Sequence, residues 1–274
     1  MFEILFLLAM IFIACDKEHD DIFRPVPPTI DENPDNLNDT INVFEDTAAN
    51  EDPSKELTYD DSYGYGKIGE LPYRYLVPRD YDSTKAYPLL IFLHGIGESG
   101  NDNERQLTWG AQIFQRDSIR SRYPAFVVFP QCKRDVYWFE RWGMHHLGML
   151  MDSLNEKYLF DSARTYIAGL SMGAYGTYAM VAEHPEVFAA AIAISGSGDA
   201  KKSGIMTKPA WWIVAGEKDE IVSSNKSKSI ANALMRHGAD VRLTIYPNAG
   251  HKESWEYAFN EPDFCYWLFS KSLQ

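Results

Sequence analysis

Cysteine is scarce in this sequence, with only Cys15, Cys132 and Cys265 among 274 residues. Three cysteines cannot form a dense disulfide framework, so a chain of this length has to be stabilised by an apolar core. The hydrophobic fraction of 45% is sufficient for such a core, and the length fits one large domain plus an appendage. Cys132 and Cys265 both lie in apolar surroundings, which leaves a disulfide and two buried thiols as alternatives.

An excess of basic residues is also missing, since the net charge is −13. Apart from Glu3, the imbalance lies in residues 16–62, which hold 15 acidic and 3 basic residues, whereas residues 63–274 hold 23 of each. The neutral main part gives no support for nucleic-acid binding. The acidity belongs to the N-terminal segment and carries no information about a ligand.

The apolar run at the N-terminus, from Ile4 to Ala14, is too short to span a bilayer but has the length of a signal-peptide core. Its end, Phe12-Ile13-Ala14-Cys15, resembles a bacterial lipobox, although Phe12 stands where leucine is usual and no Lys or Arg precedes it. We therefore expect residues 1–15 to be a signal peptide and Cys15 to be the lipidated residue. An ordinary cleaved signal peptide and a wrongly assigned start codon are the alternatives.

Residues 16–62 contain five prolines, many Asp and Asn residues and little apolar periodicity, so we expect an acidic flexible tether. The segment after Cys15, DKEHDD, resembles the acidic tags of surface lipoproteins in Bacteroidetes-type bacteria. Together these features predict an exported protein held at the outer membrane or cell surface by a lipid anchor, with a periplasmic or secreted protein as the alternative.

From Tyr63 onwards, apolar runs alternate with helical patterns, which predicts an α/β fold with a mostly parallel sheet and helices on both faces. The predicted strands are Leu71–Val77, Leu89–Leu93, Phe126–Phe129, Thr165–Ala168, Ala189–Ile194, Trp211–Val214 and Val241–Tyr246. The predicted helices are Leu147–Tyr158, Ala174–Glu183, Lys226–His237 and Phe264–Leu273. In such sheets the ligand site lies beyond the carboxyl ends of the strands, so functional residues are expected directly after these runs.

The sequence Gly169-Leu170-Ser171-Met172-Gly173 follows the Thr165–Ala168 run and precedes a helical pattern. This G-x-S-x-G pattern between strand and helix is typical of a nucleophile elbow, in which glycines make room for a sharply turned serine. A structural glycine turn is the alternative. The setting favours Ser171 as a nucleophile.

A serine nucleophile requires a base and an acid, and both have candidates at later strand ends. His251 follows the Val241–Tyr246 run, and Asp219 follows Trp211–Val214. Glu217 and Glu220 share the loop of Asp219 and remain rivals for the acid, as does a solvated acidic turn. The order Ser, Asp, His is that of α/β hydrolases.

The loop after Leu89–Leu93 begins with His94-Gly95-Ile96. A tetrahedral intermediate needs backbone N–H donors, and we expect these to come from Ile96 and from Met172, the residue after Ser171. His94 is expected to have a structural role.

The segments HGIGESG, FPQC, GLSMGA, GEKDE and NAGHKESWEYAF together resemble bacterial α/β-hydrolase esterases of the phospholipase/carboxylesterase type. These esterases are related to feruloyl and acetyl-xylan esterases and to the catalytic domain of prolyl oligopeptidase. The resemblance covers roughly residues 70–274. It implies an α/β-hydrolase domain, here residues 63–274, that hydrolyses esters through an acyl-enzyme without a metal or cofactor.

Candidate substrate contacts are aromatic and polar residues near the predicted site. Aromatic rings stack on sugars or phenolic rings, but they fill cores equally well. The polar loop 101–104 either contacts a polar substrate or caps a helix. The candidates are Trp138, Trp142, Trp255 and Ser197.

Three functions fit these residues. The first is a serine esterase acting on acylated polysaccharide. The second is a serine peptidase of the prolyl oligopeptidase type, although no propeller repeats precede the domain. The third is a non-catalytic glycan-binding lipoprotein.

Overall fold

The computed structural model describes residues 62–274. The predicted signal peptide, the lipidation site at Cys15 and the tether as far as residue 61 lie outside this part. Within residues 62–274, none of the helices combines the length and the apolar character needed to cross a membrane.

The described residues form one eight-stranded sheet with the order β1-β2-β4-β3-β5-β6-β7-β8. Strands β3 to β8 are parallel to one another, whereas β2 pairs antiparallel with both β1 and β4. The strands are β1 (Gly64–Ile68), β2 (Leu71–Leu76), β3 (Tyr87–Leu93), β4 (Phe126–Pro130), β5 (Phe160–Leu170), β6 (Ala190–Ile194), β7 (Ala210–Gly216) and β8 (Val241–Tyr246).

The α-helices of the described part are α1 (Ala111–Gln115), α2 (Asp117–Arg122), α3 (Arg141–Lys157), α4 (Met172–Glu183), α5 (Ser224–Arg236), α6 (His251–Phe259) and α7 (Phe264–Phe269). Short 3₁₀ helices span Ile96–Glu98, Arg105–Leu107 and Ala200–Ile205. The predicted mostly parallel sheet with flanking helices is therefore confirmed.

The core consists of two apolar layers, one on each face of the sheet. Successive side chains of a strand point to opposite faces, and in β3 Ile91 packs in one layer while Phe92 packs in the other. Helices α3, α4 and α5 cover the first layer, and α1, α6 and α7 cover the second. Because both faces are covered, β3 reads as an unbroken apolar run.

Strand β1 was not predicted, because glycines replace the apolar residues of an ordinary strand. A Cβ atom on Gly64 would lie 2.6 Å from the ring of Tyr75, and one on Gly66 would lie 2.2 Å from the ring of Tyr73. The two tyrosine rings of β2 thus lie over the glycines of β1. The strand is formed by this cross-strand fit rather than by its own apolar pattern.

Several predicted boundaries are corrected by tertiary packing. Helix α3 begins at Arg141, six residues before the predicted start, and α7 ends at Phe269 rather than Leu273. The segment after β8 forms a separate helix that begins at His251.

The two cysteines of the described part are unpaired buried thiols. Cys132 belongs to one apolar layer and Cys265 to the other, so the sheet separates them. Burial raises the pKa of each thiol to about 12. Of the two alternatives left by the sequence, a disulfide and two buried thiols, the structure shows the two buried thiols.

Candidate active site

Ser171 lies at the sharp turn between β5 and α4, with φ 49° and ψ −119°. Non-glycine residues rarely adopt positive φ, and such strain concentrates at functional sites. The Ser171 N–H donates to the carbonyl of Ile194 in β6 at 2.8 Å, which anchors the turn to the sheet. The side chain is held at the carboxyl edge of the central strands.

The glycines of the elbow are explained by backbone contacts. A Cβ atom on Gly169 would lie 2.2 Å from the carbonyl oxygen of Gly173, and one on Gly173 would lie 2.0 Å from that of Leu93. These contacts are with backbone atoms, which have little freedom to move. The turn therefore requires glycine at both positions.

We expect Gly173→Ala to lower the free energy of unfolding by about 3 kcal/mol or more, because the methyl group would overlap the β3 backbone. Gly148→Ala in α3 is the matched control, since nothing lies within 4 Å of its Cβ position. That change should stabilise the protein by about 0.5–1 kcal/mol through helix propensity. Urea unfolding followed by circular dichroism measures both, and equal stability of the two variants would contradict the steric explanation.

His251 connects Ser171 to Asp219. Its Nε2 atom lies 2.9 Å from Ser171 Oγ, and its Nδ1 atom lies 2.7 Å from Asp219 Oδ2. The Asp219 side chain is fully buried and that of His251 is 9% exposed. The three side chains that the sequence singled out at separate strand ends therefore form one hydrogen-bonded line.

Asp219 is held by the backbone of its own loop. Its Oδ1 atom accepts from the N–H groups of Ile221 at 2.9 Å and Val222 at 2.8 Å, which leaves Oδ2 directed at His251. Glu217 instead forms an ion pair with Lys228 at 2.8 Å, and the side-chain hydrogen bond from Lys228 lowers the Glu217 pKa. Of the two residues, only Asp219 contacts the histidine.

The position of His251 is fixed at the first turn of α6. Its ring packs edge-on against Trp255, with centroids 4.9 Å apart. Ser254 Oγ donates to the His251 carbonyl at 2.7 Å and lies 2.6 Å from Ser195 Oγ, which follows β6. Contacts from its own helix and from the neighbouring strand end thus hold the residue.

The backbone amides of Ile96 and Met172 begin helices on either side of Ser171. Met172 is the first residue of α4, and Ile96 is the first residue of a 3₁₀ helix. The first N–H groups of a helix have no acceptor within the helix. The Ile96 and Met172 N–H groups therefore have no acceptor within their own helices, and their use as oxyanion donors stays a prediction.

His94 is a buried, structural residue, as expected. Its Nε2 atom accepts from the Cys132 N–H at 2.9 Å, so the Nδ1–H donates to the Gly95 carbonyl. Trp138 Nε1 donates to the His94 carbonyl at 3.1 Å. Burial lowers the His94 pKa from 6.5 to about 4, so the ring is neutral at physiological pH.

The depressed pKa of His94 predicts a loss of stability in acid. As the pH falls below 6.5 towards about 4, the unfolded chain binds a proton that the folded chain excludes. The free energy of unfolding should fall across this window by up to about 3 kcal/mol from this residue. Urea unfolding at several pH values should show a shallower decline for His94→Gln, which keeps an acceptor for Cys132. Parallel declines in both proteins would contradict the assignment.

A cavity of ≈ 240 Å³ opens beside Ser171 and His251. Its wall combines apolar side chains with one buried carboxylate, that of Glu98, and one exposed ammonium group, that of Lys252. The lining residues are Gly95, Ile96, Gly97, Glu98, Leu170, Ser171, Ile221, His251, Lys252 and Trp255.

Of the proposed substrate contacts, Trp255 alone lines this cavity. Trp138 is completely buried in the core, so the idea that it stacks on a substrate is corrected to a packing role. Trp142 stacks on His146 and donates Nε1 to Glu70, in the turn between β1 and β2. Ser197 Oγ lies 3.5 Å from the Gly198 carbonyl and is not in the cavity wall.

Asp102 in the polar loop 101–104 binds the backbone at the start of the Arg105–Leu107 3₁₀ helix. Its Oδ1 atom accepts from the N–H groups of Glu104 at 2.8 Å and Arg105 at 3.0 Å. None of residues 101–104 is in the cavity wall, so the structure supports a local structural role for Asp102 rather than a substrate contact.

Glu98 and Lys252 line the cavity but were not predicted as site residues. Glu98 lies in the loop after β3, two residues beyond Ile96, and Lys252 directly follows His251. Their closeness in sequence to Ile96 and His251 was the signal that could have identified them as cavity residues. Among residues 62–274, no group of three or more His, Cys, Asp or Glu side chains is arranged to hold a metal ion.

The sheet topology and the Ser171–His251–Asp219 line are those of an α/β hydrolase. Residues 69–264 match the family model described as "Putative esterase", and the chain belongs to this esterase family.

Individual proteins resemble this chain in sequence or in fold. The chain is 28% identical over 122 residues to poly(3-hydroxyalkanoate) depolymerase C of Paucimonas lemoignei, which covers 40% of this chain but 28% of the depolymerase. A thermostable esterase structure superposes with a TM-score of 0.73 and 32% identity, over 77% of this chain and 64% of the esterase. A ferulic acid esterase shares the fold with a TM-score of 0.55 and 17% identity, over 69% of this chain and 87% of that one. The chain thus spans less than two thirds of the length of the first two.

Proposed function

We propose that this protein is a serine-dependent carboxylic-ester hydrolase. The observation that carries the proposal is the hydrogen-bonded line from Ser171 Oγ through His251 to Asp219, with distances of 2.9 and 2.7 Å. A serine hydroxyl is a weak nucleophile until a base takes its proton. Membership in the esterase family supports an ester as the substrate.

In the proposed reaction, Ser171 Oγ attacks the ester carbonyl carbon while His251 Nε2 takes the hydroxyl proton. The oxyanion accepts hydrogen bonds from the Ile96 and Met172 amides, and Asp219 stabilises the imidazolium. Collapse of the intermediate breaks the bond to the alcohol oxygen, which receives the proton from His251. Water then attacks the acyl-enzyme by the same route, which releases the acid and restores Ser171.

The substrate proposed is an ester with a short acyl group on a polar alcohol, such as an acylated carbohydrate. A cavity of ≈ 240 Å³ suits a small group, and apolar walls from Ile96, Leu170, Ile221 and Trp255 suit an acyl chain. Glu98 and Lys252 add polar contacts for hydroxyl groups.

The test is hydrolysis of p-nitrophenyl esters by the purified protein, followed by a panel of acetylated and feruloylated glycans. A fluorophosphonate probe should label Ser171, as located by peptide mass spectrometry. A folded protein that neither hydrolyses the esters nor reacts with the probe would overturn the proposal and favour the non-catalytic glycan-binding alternative. Matched ester and amide substrates separate esterase from peptidase.

We further propose that the protein is exported and anchored through Cys15, on the basis of the lipobox-like segment. Cells fed an alkyne-tagged fatty acid should incorporate the label into the wild-type protein but not into Cys15→Ala. Equal labelling of both would contradict the anchor.

A further inference from the structure

Gln131 lies directly after β4, and its side chain is completely buried. Its Nε2 atom donates to the Glu98 carbonyl at 3.1 Å and to Asp102 Oδ1 at 2.9 Å. Its Oε1 atom accepts from the Asn103 N–H at 2.7 Å. Both amide hydrogens and the oxygen are therefore used on a single loop, residues 98–103.

This loop continues directly from Ile96, one of the two proposed oxyanion donors. Its residues belong to no strand, Arg74 of β2 donates to the Asn103 carbonyl at 3.4 Å, and Asn103 has φ 59°. Gln131 binds the loop at both ends, at Glu98 and at Asp102 and Asn103. A further bond, from the Gly100 N–H to the Cys132 carbonyl at 2.8 Å, ties the middle of the loop to the residue after Gln131.

The N-terminal side of the Ile96 turn is tied to the same segment. The ring of His94 accepts from the Cys132 N–H at 2.9 Å, and Ser99 N–H donates to the Ile96 carbonyl at 3.1 Å. Ile96 thus lies between an anchor at His94 and an anchor at Glu98. Both anchors originate in the residues that follow β4.

We propose that Gln131 is a positioning residue that fixes the Ile96 N–H for oxyanion binding; this inference rests on the proposed function. An oxyanion donor acts at 2.7–3.1 Å from the developing charge. Displacement by about 1 Å can cost about 100-fold in rate, even when the cause is a residue outside the reacting atoms. Gln131 touches neither substrate nor Ser171 and acts through the loop.

The test variant is Gln131→Met, which keeps the side-chain length and removes all three hydrogen bonds. We expect kcat for a p-nitrophenyl ester to fall by about 10- to 100-fold with KM within about twofold of wild type. The inhibition constant of a trifluoromethyl ketone, whose adduct with Ser171 places an alkoxide at the oxyanion position, should rise by the same factor.

Tyr166→Phe is the matched control, because it removes another buried hydrogen bond, from the Tyr166 hydroxyl to the Lys271 carbonyl at 2.7 Å. It should reduce stability while leaving kcat and the ketone inhibition within about twofold of wild type, as expected for a bond away from the reacting atoms. Assays are run under conditions in which circular dichroism shows that each variant is folded. Gln131→Asn, an uncharged amide one methylene shorter that cannot reach all three partners without moving the loop, is the second variant if Gln131→Met does not fold.

A folded Gln131 variant with wild-type kcat and ketone affinity would overturn the inference while leaving the proposed function intact. A fall in kcat without weaker ketone binding would also overturn it, because the oxyanion site would then be undisturbed. Failure of the proposed function is recognised separately, since the wild-type protein itself would then lack esterase activity and probe labelling.

Discussion

Replacing Ser171 with alanine is expected to lower kcat for ester hydrolysis by on the order of 10⁶-fold without unfolding the protein. The loss follows from the removal of the attacking oxygen, while the oxyanion donors and the cavity would still give weak residual catalysis. Alanine, like serine, carries a Cβ atom and meets the same strain at φ 49°. The free energy of unfolding should therefore stay close to that of the wild type.

The control for this variant is Ser197→Ala, which removes a hydroxyl that follows a neighbouring strand. Its two contacts, with the carbonyls of Gly198 and Lys226, are both 3.5 Å long, so little is lost with the hydroxyl. Its kcat should remain within about twofold of wild type, as is usual for changes away from the reacting atoms. Hydrolysis of a p-nitrophenyl ester at saturation and labelling by a fluorophosphonate probe measure both variants. A Ser171→Ala protein with a tenth of wild-type activity would disprove the assigned nucleophile.

The positions of Ser171, Asp219 and His251 could be predicted because the rule that locates them is topological. Parallel strands bring their carboxyl ends to one edge of the sheet, so residues that follow different strands become neighbours. The strands that these residues follow, β5, β7 and β8, each overlap a segment that the sequence predicts as a strand. The chain order of the three residues then added a constraint that single motifs lack.

The residues of the cavity wall could not be predicted in the same way, because they depend on how the side chains pack against one another. Trp138 and Trp255 look alike in sequence, as tryptophans close to a proposed site. In the structure Trp138 is completely buried beneath the His94 carbonyl, whereas Trp255 packs on the His251 ring and lines the cavity. Only Trp255 lies on the same helix as a proposed catalytic residue, one turn beyond it.

The role of the loop after β3 could not be predicted from the sequence either. Its polar residues suggested either substrate contact or capping, and nothing in their order separated the two. The contacts that hold the loop in place come from Gln131, which lies more than 25 positions away in sequence and reaches the loop because β3 and β4 are neighbours. Long-range hydrogen bonds of one buried side chain produce no periodic pattern in the sequence, so these contacts could not be predicted from it.

The choice between Asp219 and Glu217 as the acid leads to a paired prediction. We expect Asp219→Asn to lower kcat by about 10⁴-fold. The backbone N–H groups of Ile221 and Val222 both donate to Oδ1, so an asparagine would keep its oxygen there and turn its NH₂ group towards His251. The ring would then have to accept at Nδ1 and carry its proton on Nε2.

In that tautomer His251 cannot take the proton of Ser171, although every atom of the site remains in place. Glu217→Gln is the isosteric control, because it removes the same charge from the same loop but from a side chain paired with Lys228. Its kcat should stay within about twofold of wild type, since exposed ion pairs contribute little. Steady-state kinetics on one ester substrate compares the two variants directly. The reverse result, with activity lost in Glu217→Gln and kept in Asp219→Asn, would show that the buried Asp219–His251 contact does not set the tautomer of the base.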